Sequence, residues 1–470
     1  MKSLTSSSRN AFGACGALVL GTIITCNLAL AQTSPSSPAS AAPAASPPFP
    51  PTATITTPGY PGVGPADFNL RVTNQPNGKK IHLLPATLET TQWGWYDSAQ
   101  PPVLRVHSGD TIALETMMHS HNQVVPGTTI EQIKKTRTDF PGRGPHTLTG
   151  PIYIEEAQPG DVLKVTLNKI VPRAYATNFN VPGMFGEFPS VYSDGQVKYL
   201  YLDLGKMTTE FLPGVVIPLK PFPGTIGVAR KEPGRFGSVP PGEYAGNMDI
   251  RDFVAGSSLY VPVFMPGALL WTGDSHAGQG NGEINLTALE TAYKELNITV
   301  EVIKGKPLDF PRIETRKSWI SMGFDQDMNK AWTQAKAQTV KVISELRGVS
   351  AEQAEKLMPT VSDCRVSQVV NVKKGIHCLT PKNPRETEDM ERPTKETAKY
   401  LVSYAKDADL NKAMDTASMG MIKMLENDRK IARLDAYGLA SVAMDCRIGA
   451  ISDAEKNVHC LMPKSIWVKQ

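Results

Sequence analysis

Three pairs of polar side chains in this 470-residue sequence are spaced two residues apart and carry groups that can bind a metal ion. In an extended strand, residues i and i+2 point to the same face of the sheet, so one strand can direct two ligands to one point. Carboxylate and imidazole groups together suit zinc or another divalent ion of similar character. The pattern therefore predicts a metal site built from strands. The pairs are His119 with His121, Asn247 with Asp249, and Asp274 with His276.

The third pair lies where an apolar run meets a glycine-rich segment. Residues 268–271 read Ala-Leu-Leu-Trp, and residues 273–283 place two acids, an imidazole and two amides among glycines. A hydrophobic strand followed by such a segment is typical of a buried strand whose end presents a functional site. The polar residues in question are Asp274, His276, Gln279 and Glu283.

Each of these residue types also has a simpler structural role. Asp and Asn commonly make turns, and a lone histidine is commonly satisfied by hydrogen bonds alone. The sequence favours the ligand role for Asp274 and His276, because an acid and an imidazole occur together there. It does not decide between ligand and turn for the asparagine-containing pair. For the pair of histidines it favours surface hydrogen bonding.

Short alternating runs separated by Gly and Pro turns predict a mainly β region over residues 67–316. One such run begins after Pro-Gly-Asp at 159–161, and there Leu163, Val165 and Leu167 fall on one face. A strand buried on one side requires this alternation. Many strands without intervening helices predict a core of the jelly-roll or β-sandwich kind.

After residue 316 the pattern becomes helical, and an internal repeat is present. The offset is a constant 82 positions, as from Asp327 to Asp409. A fixed offset of this kind indicates a duplicated unit. We expect units at 317–385 and 399–470, each a helix-helix-strand-strand arrangement of α+β type. The first helix of each unit should begin near those aspartates, and Ser350 with Gln353 forms a capping box for the next helix.

The amino-terminal residues have the features of an export signal followed by a linker. Residues 1–31 combine Lys2 and Arg9, an apolar stretch and a small-residue cleavage pattern, which is typical of a secretory signal peptide. Residues 32–66 are rich in Pro, Ala and Ser, which predicts a disordered linker. The sequence therefore predicts a periplasmic or secreted protein with no stable membrane insertion after signal removal; a single membrane anchor is the alternative.

Four cysteines follow the signal segment, and export makes disulfides the expected state. Two connectivities are open. Each unit could contain its own disulfide, or the equal offset could join the two units, and the sequence does not choose between these arrangements. The cysteines are Cys364, Cys378, Cys446 and Cys460.

Composition narrows the range of partners. The chain has a formal net charge of +4 and an ordinary 20% of charged residues, without a dense basic run. Nucleic acid is therefore not an expected partner. We expect a small-molecule ligand and assembly into a homo-oligomer.

Several motifs occur in one order between residues 82 and 381. They are Gly-Asn-Met-Asp at 246–249, Ala-Gly-Ser-Ser-Leu-Tyr-Val-Pro-Val at 255–263, Pro-Gly-Ala at 266–268, and the glycine-rich segment at 273–283. Together they resemble the signature of the acetamidase/formamidase family. The resemblance implies hydrolysis of formamide-like or acetamide-like linear amides to ammonia and a carboxylic acid. It also implies a divalent metal, usually zinc.

The resemblance assigns roles to the matched residues. Asp249, Asp274 and His276 would bind the metal, which would activate water and polarise the amide carbonyl. Glu283, or alternatively Glu115, would accept the water proton and return it to the leaving nitrogen. The further candidates are Asn247 for the oxyanion, Gln279 as a polar helper, and His119 and His121 as additional site residues.

One departure from the family and one local motif keep other functions open. Asn281 replaces an acid that is frequent in the family, which leaves open a non-catalytic solute-binding β-sandwich. Gly-Asp-Ser-His-Ala at 273–277 approximates a nucleophile elbow, so a serine hydrolase that uses Ser275 is a second alternative. The aromatic run at 93–96 could be a binding platform, although core packing is the expected role of its rings.

Overall fold

The computed structural model describes residues 72–386, 390–452 and 454–468, all within one compact unit that extends from Val63 to Gln470. The predicted signal peptide at 1–31 and linker at 32–66 lie outside the described residues.

Strands dominate the first two thirds of the described chain, and most helices follow them. The early strands are β1 (Val72–Asn74), β2 (Lys80–Leu84), β3 (Thr91–Trp93), β4 (Trp95–Asp97), β5 (Leu104–Val106), β6 (Thr111–Leu114), β7 (Thr147–Ile154), β8 (Val162–Pro172), β9 (Tyr175–Phe179), β10 (Val197–Tyr201), β11 (Thr208–Leu212), β12 (Val215–Pro218) and β13 (Phe222–Val228). The later strands are β14 (Arg235–Gly237), β15 (Ala245–Asn247), β16 (Ser258–Pro262), β17 (Leu270–His276), β18 (Glu290–Thr291), β19 (Tyr293–Ile303), β20 (Arg312–Glu314), β21 (Ser318–Asp325), β22 (Asp363–Gln368), β23 (Lys374–Pro381), β24 (Tyr400–Asp407), β25 (Asp445–Ile451) and β26 (Lys456–Pro463). The helices are α1 (His119–Asn122), α2 (Ile130–Thr138), α3 (Met328–Arg347), α4 (Ala351–Val361), α5 (Leu410–Asn427) and α6 (Arg433–Ala443), with a 3-10 turn at Lys464–Ile466.

Two large sheets face each other and confirm the predicted mainly β, sandwich-like core. The 13-stranded sheet has the order β1-β2-β6-β19-β8-β16-β20-β21-β23-β22-β25-β26-β24. The nine-stranded sheet contains β10-β9-β18-β17-β13-β15, with β7 paired to β17 and also to β3 and β5. Leu163, Val165 and Leu167 of β8 share one buried cluster with Ile152 and Trp271 of the other sheet. The predicted alternation in β8 therefore supplies the inner face of the sandwich.

The prediction of helix-helix-strand-strand units was incomplete, because each unit begins with a further strand. β21 precedes α3, and β24 precedes α5. In β21, Ile320, Met322 and Phe324 alternate along the strand and join the sandwich core. The period of two in this segment is that of a strand, and β21 pairs with both β20 and β23. The first unit thus extends the 13-stranded sheet of the core.

The two units associate through equivalent residues. β22 pairs with β25 at Arg365 and Arg447, which are related by the repeat offset. At the helix starts, Asn329 donates a 2.8 Å hydrogen bond to Asp409, and Asn411 donates one of 2.8 Å to Asp327. These reciprocal contacts indicate a local twofold relation between the duplicated units.

The predicted helix starts are confirmed. Asp327 and Asp409 cap α3 and α5, and Ser350 with Gln353 forms the capping box of α4. None of the helices within the described ranges is long and apolar enough to cross a membrane.

Both disulfides lie within their own unit. Cys364 is bonded to Cys378, and Cys446 to Cys460, each pair with Cα atoms 4.0 Å apart. Strand register explains this choice, because each pair faces directly across adjacent antiparallel strands. The alternative that joins the two units is excluded.

Candidate active site

Adjacent strands of the nine-stranded sheet bring acids and an imidazole together. β17 is buried over its full length and carries Asp274 and His276 on one face. His276 pairs across the sheet with Glu290 of β18. Asp249 follows the end of β15, and its backbone N–H donates to the carbonyl of Gly224 in β13. The site is therefore set by strand register rather than by one local motif.

His276 stands at the centre of this cluster. Its Nε2 lies 3.4 Å from Asp274 Oδ1 and 3.3 Å from Glu290 Oε2. Its Nδ1 lies 3.8 Å from Asp249 Oδ1. Ligand atoms of Asp249, His276 and Glu283 all lie within 4.8 Å of one another, as do those of Asp274, His276 and Glu290. The structure thus brings the three predicted metal ligands together. Glu283, the predicted proton acceptor, and Glu290 lie beside them.

Three acids of this cluster have unusual backbone conformations. The φ angles are 51° at Asp249, 50° at Asp274 and 50° at Glu283. Residues other than glycine rarely adopt positive φ, and such strained positions concentrate at functional sites, where the surrounding fold holds them in place. Their concentration here supports a functional role for the cluster.

His119 also reaches this cluster, but not in the way that the sequence predicted. The expected extended strand is wrong, because His119 lies in the short α1 turn, where Ser120 and His121 have φ angles of 54° and 52°. The expected surface role is also wrong for His119, which is only 6% exposed. Its Nε2 lies 2.9 Å from Asp274 Oδ1 and 3.3 Å from Glu290 Oε2.

The turn sends the other histidine of the pair elsewhere. Nε2 of His121 lies 3.2 Å from Thr91 Oγ1, and its ring packs near Trp93. Burial and the charge of Arg143 lower the pKa of His121 to about 4. The structure does not bring this residue to the acid cluster. Trp93 and Tyr96 are themselves buried, which confirms a core-packing role for these two rings.

Three further residues of the site were missed in the sequence. His146 Nε2 lies 3.6 Å from Asp274 Oδ2, and Asn371 of the first repeat unit donates a hydrogen bond to Asp249 Oδ2. The third is Glu290. A lone acid among uncharged residues at 288–292 was an available signal for it, whereas His146 and Asn371 stand in unremarkable loop sequence.

The structure does not bring Glu115 to the site. Its side chain is 39% exposed, lies 3.7 Å from Arg173, and borders a separate surface groove that Leu83 and Lys294 also line. The predicted alternative of Glu115 as proton acceptor therefore has no geometric support. Glu283, by contrast, is buried beside Asp249.

The two predicted polar helpers have structural partners. Asn247 lines the cavity, accepts a 2.7 Å hydrogen bond from Thr225 and donates one of 3.1 Å to the carbonyl of Val239. Gln279 donates to the carbonyl of Ser367 at 3.2 Å. Gln279 thereby links the glycine-rich segment to the first repeat unit.

Ser275 faces away from the acid cluster. Strand alternation turns it to the opposite side of β17, where its hydroxyl lies 2.6 Å from Thr116 Oγ1. The segment after it, residues 277–289, contains no helix. Both features disagree with a nucleophile elbow, which requires a strand-to-helix turn.

The second repeat unit holds the glycine-rich segment in place. Asn281 donates a 2.6 Å hydrogen bond to Asp445, and the backbone N–H of Gly280 donates to Ser441. On its other side, Gly282 donates to the carbonyl of Ser367 in the first unit. Both units therefore fix the segment that carries Glu283. An acid at position 281 would lie against the Asp445 carboxylate.

Burial and mutual charge perturb the protonation of these groups. Burial first, and then the neighbouring Asp249, raise the pKa of Glu283 well above its ordinary value. Burial would also raise the pKa of Glu290, but His276 and His119 lower it to about 2. Burial would lower the pKa of His119, but Glu290 and Asp274 raise it to about 9. Acids and histidines whose pKa values are strongly shifted are typical of an active site when they share one cavity.

Several atoms of the cluster are buried without a hydrogen-bond partner among the described residues. They are both ring nitrogens of His276, Asp249 Oδ1, Glu283 Oε2 and Glu290 Oε2. Gly224 leaves the space beside them, because a Cβ there would lie 2.6 Å from Asp249 Oδ1 and 2.7 Å from Asp274 Oδ2. Buried carboxylates with so few hydrogen bonds are costly without a cation. Carboxylate and imidazole donors of this kind fit zinc or a similar divalent ion.

The cluster opens into a small cavity of about 140 Å³. This volume is below the range of roughly 300–1,000 Å³ that is usual for sites of larger ligands. The lining includes His119, His146, Asp249, Asp274, Glu283 and Glu290. The geometry suits a small substrate that carries a group able to contact a cation.

Comparisons with known proteins agree with this geometry. Residues 88–236 and 232–384 match the model of the Acetamidase/Formamidase family. An acetamidase from Mycolicibacterium smegmatis is 30% identical over 34% of this chain and 54% of its own length. The match thus spans about half the length of that curated relative.

Solved structures extend the likeness to the fold. A crystal structure of an acetamidase from Bacillus halodurans is 26% identical, with a TM-score of 0.58 over 64% of this chain and 97% of that one. A predicted acetamidase/formamidase from the thermophile Thermoanaerobacter tengcongensis is 29% identical, with a TM-score of 0.57 over 64% and 96%. The second repeat unit at 399–470 lies beyond the family match, which ends at residue 384. Because the matched residues make up more than half of the sequence, this chain belongs to the acetamidase/formamidase family.

Proposed function

We propose that this protein hydrolyses small linear amides, of the formamide or acetamide kind, to ammonia and a carboxylic acid with the help of a bound divalent cation. Family membership and the named acetamidase relatives support amide hydrolysis. Zinc is the first candidate for the cation, because the site offers imidazole and carboxylate donors.

The observation that carries the proposal is the buried cluster of two carboxylates and an imidazole beside Gly224, in which Asp249 Oδ1 and both ring nitrogens of His276 lack a hydrogen-bond partner. Asp249, Asp274 and His276 would hold the cation, and Glu290 lies close enough to join them. A bound cation of this kind stabilises hydroxide and developing negative charge near neutral pH. His119, 2.9 Å from Asp274, orients that carboxylate.

The remaining steps fall to side chains that line the cavity. Because burial raises the pKa of Glu283, this residue can take a proton from the attacking water and pass it to the leaving nitrogen. Asn247 donates one amide hydrogen to Val239. Its second amide hydrogen can stabilise the oxyanion.

The test combines elemental analysis of the purified full chain with ammonia release from formamide and acetamide. Chelation should remove both zinc and activity, and added zinc should restore both. His276→Ala should lose bound metal and activity together. Full ammonia release from the chelated protein or from this variant would refute the proposal.

Ser275→Ala is the matched control, since Ser275 neighbours His276 in β17 but faces Thr116. We expect this variant to keep metal content and activity. Selective loss of activity with intact metal would instead favour the serine hydrolase. The same assay separates catalysis from simple solute binding, because a binding protein releases no ammonia. Asn281, the residue that left such a protein open, is held by a hydrogen bond to Asp445.

We also propose that the protein is exported to the periplasm or beyond the cell. The two disulfides support this proposal, because disulfides persist in oxidising compartments. Recovery of the protein only in the cytosolic fraction, with free thiols, would contradict it.

A further inference from the structure

The cavity lining combines the acids with two arginines that no step above uses. Arg137 lies in the last turn of α2, and Arg143 follows that helix. Arg143 is half-buried, and its guanidinium lies 4.6 Å from the ring centroid of Trp93. Arg137 has no comparable aromatic contact among the described residues. Arg143 therefore has an aromatic ring beside its charge, whereas Arg137 does not.

Packing of α2 directs Arg137 inward. Ile133, one helical turn earlier on the same face, is buried in a cluster with Phe179 and Val181. Phe179 also lines the cavity. The helix is therefore anchored against the cavity wall, and Arg137 reaches the cavity from this anchored face.

Arg137 as a whole is partly buried, but its Nη1 atom is shielded from solvent, and burial lowers the pKa of this residue to about 10. Its Nη1 atom has no hydrogen-bond partner. Within the described ranges no acidic side chain forms an ion pair with it. Other buried arginines differ: Arg365 lies 2.6 Å from Asp363, and Arg447 lies 2.8 Å from Asp445. A buried, unpaired guanidinium is costly, so a fold that retains one at a cavity presents it to an anion.

Arg137 also lies near the reacting end of the cavity. It lines the same cavity as His146 and Asp274, whose side chains lie 3.6 Å apart. The lining of the same cavity also contains apolar side chains, including Phe179, Leu286 and Val370. Such a wall suits methylene carbons. The cavity therefore has an acid-lined end, an apolar wall and an unpaired guanidinium.

We propose that Arg137 binds a carboxylate carried by the substrate, and that the preferred substrates are short monoamides of dicarboxylic acids. The amide end lies at Asp274 and His276, and the acid end pairs with the guanidinium in the planar geometry that arginine offers to carboxylates. The small volume of the cavity restricts the linker to one or two carbons. This inference rests on the proposed function, since it names the substrate of the same site.

A carboxylate at Arg137 could have a second source, which is the acid released from a neutral amide. The two sources differ in what an Arg137 variant changes. A substrate carboxylate makes discrimination between acidic and neutral amides depend on Arg137. If Arg137 binds the carboxylate of the product, an Arg137 variant changes only the inhibition by acetate.

The test measures ammonia release by the full, metal-loaded chain from malonamate, succinamate and acetamide. We expect kcat/KM to be higher for the acidic amides. Arg137→Gln should lower kcat/KM for them by about 10- to 100-fold, as for loss of a charged hydrogen-bonded pair, and should change acetamide by less than about 3-fold. Arg105→Gln is the control, because Arg105 is exposed and pairs with Glu155. Equal losses on all three amides, or weakened acetate inhibition without a change in preference, would overturn the inference.

A binding measurement separates this inference from the proposed function. Titration calorimetry with malonate and succinate should show binding to the wild type and about 10-fold or greater weakening in Arg137→Gln, with circular dichroism as a check of folding. Ammonia release without this difference refutes the anion site and leaves amide hydrolysis standing. Arg137-dependent binding in a protein that hydrolyses no amide refutes the hydrolysis and leaves the anion site standing.

Discussion

The space beside Gly224 makes a sharp prediction for Gly224→Ala. The added methyl group would lie 2.6 Å from Asp249 Oδ1, 2.6 Å from His276 Cε1 and 2.7 Å from Asp274 Oδ2. These distances are shorter than van der Waals contact, so the three predicted ligands must move apart. Overpacking of this kind costs about 1–3 kcal/mol of stability. Even indirect disturbance of metal ligands typically costs about 10- to 100-fold in affinity, and here the ligands themselves move.

We therefore expect Gly224→Ala to lose at least about 10-fold in zinc affinity, or about 1.4 kcal/mol, while it remains folded. Competition with a chromophoric chelator measures the affinity, and thermal unfolding measures the stability. Gly278→Ala is the control, because a Cβ there lies 3.6 Å from its nearest neighbour, Leu289, which is ordinary contact. Wild-type zinc affinity and amidase activity in Gly224→Ala would refute the claim that metal binding needs the space beside Gly224.

Three further predictions concern the parts of the fold around the site. Asn281→Asp would place a carboxylate against Asp445. We expect this variant to lose about 1–3 kcal/mol in unfolding free energy and to be less active, and we expect Asp445→Asn in the same chain to restore part of both. An unchanged unfolding curve would contradict this prediction. Replacement of Cys446 and Cys460 by Ser opens a loop with a sequence separation of 14, and should cost about 3 kcal/mol, measured by denaturant unfolding without reductant; equal stability would count against the disulfide. Burial alone would raise the pKa of Asp252, but a hydrogen bond from His377 and the charges of Lys220, Arg365 and Arg251 hold it well below the ordinary value. The ionised Asp252 therefore stabilises the fold fully above its unfolded pKa of about 4, and this stabilisation is lost as pH falls through the folded pKa. In Asp252→Asn, the unfolding free energy should therefore fall less steeply between about pH 5 and 2 than in the wild type.

The three proposed metal ligands could be identified in the sequence because they lie in two short motifs with informative spacing. Asp274 and His276 are two residues apart in one strand, so a local rule predicts that they face the same side. Glu290 could not be placed in this way, because its contact with His276 depends on the pairing of β17 with β18. His119 illustrates the opposite error. Its spacing suggested a strand, whereas positive φ angles in the following residues form a turn that local patterns do not reveal.

The repeat was visible in the sequence, but its role at the site was not. A constant offset identifies two units and their helix starts, as Asp327 and Asp409 show. It carries no information on which outer segment a unit contacts. The contact between Asn281 and Asp445 joins residues 164 positions apart, and only the packed fold brings them together. The initial strands were missed because β21 and β24 stand before the helix caps that marked each unit.

The central claim is that Asp249, Asp274 and His276 hold a cation at this site. Anomalous diffraction at the zinc absorption edge, from crystals of the active protein, tests this claim most directly. The account predicts one strong peak about 2.0–2.2 Å from a ring nitrogen of His276 and from carboxylate oxygens of both aspartates. An active protein with no anomalous peak among these side chains would contradict it.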